Sequence, residues 1–334
     1  MSDTRIDLMQ LHGLLVKALC AHGTEAGNAE SVASALVAAE ADGLSGHGLS
    51  RLPSYCAQVA SGKIDGHAVP DLHPVADAVV VVDAKGGFAY PALGLAIEKL
   101  VALTPKTGIA LAAITRSHHC GAAGYHVEAL AREGLVALMF ANTPKAIAPW
   151  GGTKAVFGTN PIAFAAPRRA KKPLVIDMSL SKVARGKILV ASQQGNPIPD
   201  CWALDDRGQP TNDPHAALSG TMLPIGDAKG TVLAFMVEVL AAALTSSMFG
   251  FEASSFFSAE GPPPGVGQLL MAMAPGPVSN GQFQTRLEDL IDEILHQGGD
   301  VRLPGDRRLE MRGKASRNGI RITDKQYQEI LSLC

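Results

Sequence analysis

Apolar and polar positions along this chain fall into two textures. From Ile6 through Leu8, Leu11, Leu14 and Leu15 the apolar residues recur near helical spacing, and the stretch 29–41 is rich in alanine. Residues 1 to about 60 therefore predict helices. Gly62, Gly66, Pro70 and Pro74 then punctuate 62–75, a stretch suited to a domain boundary. Beyond it short apolar runs of strand length (78–82, 109–114, 135–140, 162–165, 174–176 and 267–273) alternate with helical stretches (91–103, 125–132, 183–193, 230–245 and 289–296). A polar helix is predicted over 324–333, after a turn-rich segment at 302–306. The pattern is that of a mixed α/β (α+β) chain with a helical N-terminal part, and no internal repeat.

Composition narrows the possibilities. With 334 residues, 47% of them hydrophobic, there is material for one large or two smaller cores. A net charge of -2 gives no basic field for nucleic acid or anionic lipid, but leaves room for placed cations that bind small anions. Cys20, Cys56, Cys120, Cys201 and Cys334 are scattered and form no CxxC pair. Neither a disulfide framework nor a zinc site is suggested, and free thiols fit a reducing compartment. The first residues carry Asp3 and Asp7 and do not resemble a signal peptide. The most apolar run, 232–244, is too short for a bilayer and contains Glu238, which predicts a buried helix and, with the rest, a cytoplasmic protein.

Three constellations carry candidate chemistry. In the first, Pro53 suits the first turn of a helix capped by Ser50; Arg51 and Tyr55 then share a face, with His47 on the preceding turn. Arginine grips a carboxylate through parallel hydrogen bonds, and histidine exchanges protons near neutral pH; the plainer alternative is a solvated turn. In the second, the loop His118, His119, Cys120, Gly121, Ala122 follows a strand and opens a helix, where free amides favour anions. Adjacent histidines usually diverge, and no nearby acid completes a metal site. In the third, Lys145 sits in a Gly/Pro-rich loop close to the loop of Thr159, where it either holds an oxyanion or is simply solvated. Neither G-x-G-x-x-G after a strand nor G-x-x-x-x-G-K-[ST] occurs, so these residues indicate an enzyme with an anion site and no named cofactor.

Taken together and in order, His47-Gly-x-x-Arg51-x-x-x-Tyr55, the loop 117–124, Pro149-Trp-Gly-Gly152, Phe157-Gly-Thr-Asn-Pro161, Asp177-Met-Ser179, Lys229-Gly230 and Arg302-Leu-Pro-Gly-Asp306-Arg307-Arg308 resemble the malate/L-lactate dehydrogenase superfamily over essentially the whole chain. Within it the likeness is greatest to the Δ1-piperideine-2-carboxylate/Δ1-pyrroline-2-carboxylate reductases. The resemblance implies a non-Rossmann, sulfolactate dehydrogenase-like fold that binds NADPH or NADH, which accounts for the missing glycine signature. It implies a helical domain of residues 1–75 with 309–334, an α/β cofactor domain of 76–308, and a homodimer.

By the same resemblance His47 is the acid/base, Arg51 the carboxylate clamp and Thr159 a further substrate contact; the residues themselves add Tyr55 beside Arg51 and Lys145 to polarise a ketone oxygen or hold a carboxylate. His118, His119, Cys120, Gly121, Ala122, Asp177, Met178, Ser179, Lys229, Gly230, Arg302, Pro304, Gly305, Arg307 and Arg308 would surround the cofactor. The substrate expected is a small cyclic 2-imino acid, or alternatively a 2-keto/2-hydroxy acid. Two positions depart from the imine reductases: Gly46 stands where they have Ser, and Lys187 where they have Asp. Lys145 instead matches a lysine of the hydroxy-acid dehydrogenases.

Overall fold

The structure is a computed structural model that describes residues 3–334. Among them β1 (Asp3–Ile6) is followed by α1 (Leu8–Ala21), α2 (Ala26–Ala41), single 3-10 turns at Ser45–His47 and Leu49–Arg51, and α3 (Leu52–Ala60). Asp7 caps α1 by accepting the amide of Met9 at 2.8 Å. Leu11, Leu15, Ala18 and Leu19, spaced at helical intervals, bury the inner face of α1.

A seven-stranded mixed sheet follows. It is built from β2 (Asp71–Ala76), β3 (Val79–Asp83), β4 (Ile109–Ser117), β5 (Val136–Ala141), β6 (Ile162–Ala166), β7 (Leu174–Met178) and, after β8 (Ala203–Leu204) and β9 (Thr221–Met222) of a small separate ribbon, β10 (Val266–Met273). The order is β2-β3-β4-β10-β5-β6-β7, and only β3 and β4 run parallel. Helices α4 (Ala89–Thr107) and α5 (Ala123–Arg132) connect sheet strands; α6 (Arg185–Gln194), α7 (Pro214–Ser219) and α8 (Ala228–Glu238) follow β7. The chain closes with α9 (Pro275–Val278), α10 (Phe283–Leu295), α11 (Asp306–Asn318), β11 (Ile320–Thr323) and α12 (Asp324–Leu333).

The apolar strand runs are explained by burial on both faces. Ala112 and Ile114 of β4 and Leu270 of β10 enter one core with Leu93 and Leu130, whereas Ala113 and Leu269 enter a second with Ile188 and Val237. A third core joins the N-terminal helices to the end of the chain, through Ile6, Leu36 and Ile64 with Ala315, Ile320, Ile322 and Ile330.

Several sequence expectations need correction. Ile6 belongs to a strand paired with β11, because its partner lies more than 300 residues away and leaves no local signature. β2 takes up the end of the punctuated stretch 62–75, and α11 begins inside the turn-rich segment. The run 232–244 is not buried all round: Val232, Phe235, Val239 and Leu244 are exposed, and the helix widens into one π-turn at Val239–Ala243. Ser50 does not cap α3. Arg51 occupies that position, and the Ser50 hydroxyl donates to the Ser45 carbonyl at 2.6 Å.

Candidate active site

His47 and Arg51 lie on the two 3-10 turns between α2 and α3. The turn is fixed by Glu40 of α2, whose carboxylate accepts the amide of Leu49 at 2.9 Å. A side chain at position 48 would collide with that carboxylate, which explains a glycine there. Arg51 donates from Nε to the Gly46 carbonyl at 2.7 Å, and its guanidinium carbon lies 4.5 Å from the centre of the Phe257 ring. Its Nη1 is buried without a partner, as is Nδ1 of His47. Two polar atoms from consecutive turns thus remain unsatisfied, an arrangement expected of a ligand site.

The loop after β4 packs against His47. The His119 ring stacks on His47, with centroids 5.4 Å apart and planes 18° from parallel. Its Nδ1 lies 2.7 Å from the Tyr55 hydroxyl, which is 3.0 Å from that of Tyr90. His118 pairs through Nε2 with Gln58 Oε1 at 2.9 Å and leaves Nδ1 buried and unpartnered. Phe256 packs on both imidazoles. Gln58 and Lys63 hold the segment carrying Phe256 and Phe257: the Lys63 ammonium donates to the carbonyls of Ser255, Ser258 and Glu260 at 2.7, 2.9 and 2.9 Å.

Burial, reinforced by the Arg51 charge, lowers His47 to about 4. Burial with the charges of Lys63 and Arg51 lowers His118 to about 3, and burial, Arg51 and the neighbouring histidines hold His119 well below its ordinary value. These imidazoles are therefore neutral at pH 7, and His47 can accept a proton there. Tyr55, fully buried, is pushed up to about 12; its hydroxyl meets His119 and Tyr90, which gives it a supporting position behind His119.

Lys145 and Thr159 come from a second pair of loops. The Lys145 amide donates to the Gly250 carbonyl at 2.8 Å, while its side chain is exposed and forms no ion pair among the described residues. Thr159 donates its amide to the Thr143 hydroxyl at 2.9 Å. No hydrogen bond or ring contact joins Lys145 to His47; the connection runs through the segment from Gly250 to Phe256.

The segments expected around a cofactor gather at the end of β7. The carboxylate of Asp177 accepts the amide of Gly124 at 2.7 Å, so the open N-terminus of α5, which Ala122 leaves uncapped, receives the protein's own anion. Gly305, at φ 89°, lies against the Val175 carbonyl, where an added Cβ would sit 3.1 Å from the oxygen. Met178 and Ser179 follow Asp177, and the Ile225 amide bonds Leu180, which brings Lys229 and Gly230 alongside. At Gly230 a Cβ would run into the Ile225 carbonyl. Gly121 has φ 68°, and a side chain there would strike the Tyr90 hydroxyl; Cys120 is buried in the same loop. Arg302, Pro304 and Arg307 are exposed. The glycine contacts are all with the protein's own atoms; Nδ1 of His118, buried and unpartnered, is the polar atom here that a cofactor's carboxamide would satisfy. Arg308 turns elsewhere: with Arg312 it forms ion pairs with buried Asp42 and Glu128.

Sequence reasoning missed Gln58, Lys63 and Glu128 altogether, and met Glu238 only as a charge in an apolar run. That lone acid was the available signal, since a buried carboxylate must find donors. Among the described residues no cluster of His, Cys, Asp or Glu is arranged to hold a metal.

A mixed sheet covered on both faces, a chain without a glycine fingerprint, and a neutral histidine near an arginine, each with an unsatisfied polar atom, suit acid/base chemistry on an anionic substrate. The chain belongs to the malate/L-lactate dehydrogenase family, whose profile matches residues 6–331, and is thus an NAD(P)-dependent enzyme. It is 53% identical over 307 residues to the (2R)-3-sulfolactate dehydrogenase (NADP(+)) of Chromohalobacter salexigens, spanning 92% of this chain and 91% of that protein. The Δ1-piperideine-2-carboxylate reductase of Pseudomonas syringae superposes with a TM-score of 0.94 at 38% identity, covering 99% and 100% of the two chains. The sulfolactate dehydrogenase of Methanocaldococcus jannaschii does so at 0.91 and 28% identity, covering 99% and 96%. The expected sulfolactate dehydrogenase-like fold is therefore the fold found.

Proposed function

We propose that this protein oxidises a small 2-hydroxy acid carrying a second anionic group, of the 3-sulfolactate type, with NADP⁺ as hydride acceptor. The observation that carries it is the pair of unsatisfied atoms on consecutive turns, Nδ1 of a neutral His47 and Nη1 of Arg51. Arg51 grips the substrate carboxylate and orients C2. His47 removes the hydroxyl proton as the C2–H electron pair departs as hydride. When bound, the nicotinamide supplies the acceptor for that hydride. Lys145, an exposed ammonium without an ion-pair partner among the described residues, supplies the charge for the second anion or for the oxygen of the keto acid product.

The 53% identity to a sulfolactate dehydrogenase supports this substrate class over the cyclic imine ranked first from the sequence. So does position 46: an added Cβ would find open space, yet the residue is glycine and supplies no hydroxyl to His47. The imine reductase reading stands second, favoured by the superposition at 0.94. The deciding assay offers 3-sulfolactate, lactate and malate with NADP⁺ and NAD⁺, and Δ1-pyrroline-2-carboxylate and Δ1-piperideine-2-carboxylate with the reduced cofactors. Turnover confined to the imines would overturn the proposal.

Self-association belongs to the same proposal, supported by the exposed apolar side chains of Val232, Phe235, Val239, Leu244, Phe251 and Phe257 along one segment. No helix among the described residues is long and apolar enough to cross a membrane; a cytoplasmic location is proposed on the free cysteines and the class of small acid substrates.

A further inference from the structure

Glu238 is the last residue of α8, buried where the helix widens into its π-turn. Every group that meets its carboxylate is a donor. Oε1 accepts from Asn160 Nδ2 at 2.9 Å; Oε2 accepts from the Gly250 amide at 3.2 Å and from Asn142 Nδ2 at 3.3 Å; the Gly158 amide bonds it as well. Burial raises its carboxyl above the ordinary range, against the pull of these four donors. A carboxylate has acceptor capacity for all of them, whereas a protonated acid or an amide would point a hydrogen at another hydrogen.

The donors belong to three separate loops. Asn142 precedes Thr143 and Lys145, and its own Oδ1 accepts the Gly267 amide of β10 at 2.9 Å. Gly158 and Asn160 flank Thr159. Gly250 receives the Lys145 amide on its carbonyl. A Cβ at Gly250 would sit 2.9 Å from Glu238 Oε1 and 2.8 Å from the Thr143 carbonyl, so the backbone approaches the acid as closely as a glycine allows. Asn160 holds φ 41°, a left-handed conformation that needs such anchoring.

We propose that Glu238 is a positioning residue that sets Lys145 and Thr159 for the substrate's oxygen and second anion by fastening the loops 142–145, 158–160 and 250 to one buried carboxylate. The kinetic part rests on the proposed reaction, in which those two side chains touch substrate. Displacing such contacts by about an ångström costs on the order of a hundredfold in rate.

The test uses the full chain and two independent readouts. In Glu238→Gln, hydrogen exchange at the amides of 143, 145, 158–160 and 250 should quicken by about tenfold or more, with 117–121 unchanged; equal exchange in both proteins would overturn the proposal whatever the substrate. With the acid that the enzyme turns over, Glu238→Gln and Lys145→Ala should each lower kcat/KM about tenfold or more, and the double variant only about threefold beyond the worse single one. Fully multiplicative losses would overturn action through Lys145. Absence of turnover with every acid offered would fail the proposed reaction alone, leaving exchange to decide the anchoring. Should Glu238→Gln not fold, Glu238→Asp keeps the charge one methylene short and is read the same way.

Discussion

The imidazole of His47 lies flat against that of His119, 5.4 Å centre to centre, and the buried hydroxyl of Tyr55 pins His119 from behind. A proton arriving on His47 therefore enters an environment with the Arg51 charge nearby and little water, which is why its affinity is lowered to about 4. For oxidation of a hydroxy acid the base must be neutral. We expect kcat/KM to stay flat as pH falls from 8 to about 5, rather than to halve near the ordinary histidine value of about 6.5. An acid limb centred near 6.5, measured by initial rates in a constant-ionic-strength buffer series, would contradict the neutral, crowded His47.

Arg51 has Nε committed to Gly46 and one face covered by Phe257, leaving the Nη edge for a carboxylate. A charge-assisted pair contributes about 1.5–3 kcal/mol, so Arg51→Ala should raise KM roughly 10- to 150-fold with a smaller change in kcat. Arg51→Lys should recover only part, because an ammonium offers no planar fork. An unchanged KM in steady-state kinetics would remove the clamp.

Glu128 and Asp42, both buried, are shared between Arg308 and Arg312 of α11, with Arg132 also on Glu128. Burial pushes the Glu128 carboxyl up, but the Arg312 hydrogen bonds and the other two arginines hold it at about 2. Removing Arg312 leaves buried Asp42 with Arg308 alone, at 3.5 Å, while Glu128 keeps Arg308 and Arg132. Arg312→Ala should lose about 3 kcal/mol of stability in urea unfolding, while a loss under about 0.5 kcal/mol would mean that the cluster is not stabilising.

Acid should weaken the fold in two stages. His47, His118 and His126 have folded values of about 4, 3 and 4, below the unfolded 6.5, so the unfolded chain binds more protons once pH drops under about 6.5. Stability present above that pH declines as pH falls toward 4. Glu128, depressed to about 2, adds a further loss from about 4.5 downward. Tm measured from pH 8 to 4 should be level at first and then descend steeply; a Tm constant down to pH 5 would rule out the buried neutral histidines.

Phe235 stands out on the open side of α8, exposed at 59% and in edge contact with Phe157. If this face joins two copies, Phe235→Asp should convert a dimer to a monomer by light scattering without unfolding it. A wild-type monomer at micromolar concentration would remove the proposed self-association.

The sequence alone determined the elements whose signal is local. Asp7 before Leu8 and Leu11, the alanines of α2, and the continuous apolar runs of β4, β5 and β10 each carry their period or their cap within a dozen residues. His47 and Arg51 were legible as chemistry because proton transfer and carboxylate recognition need those side-chain types close together, here four residues apart. Tertiary structure decided what depends on distant partners. It paired β1 with β11, set β10 between β4 and β5, stacked His119 on His47, and gave Arg308 to Asp42 and Glu128. It also turned Glu238 from an anomaly in an apolar helix into the anchor of three loops. Burial, and with it the protonation of His47 and the satisfaction of each carboxylate, comes from residues tens to hundreds of positions apart, and no local pattern encodes it.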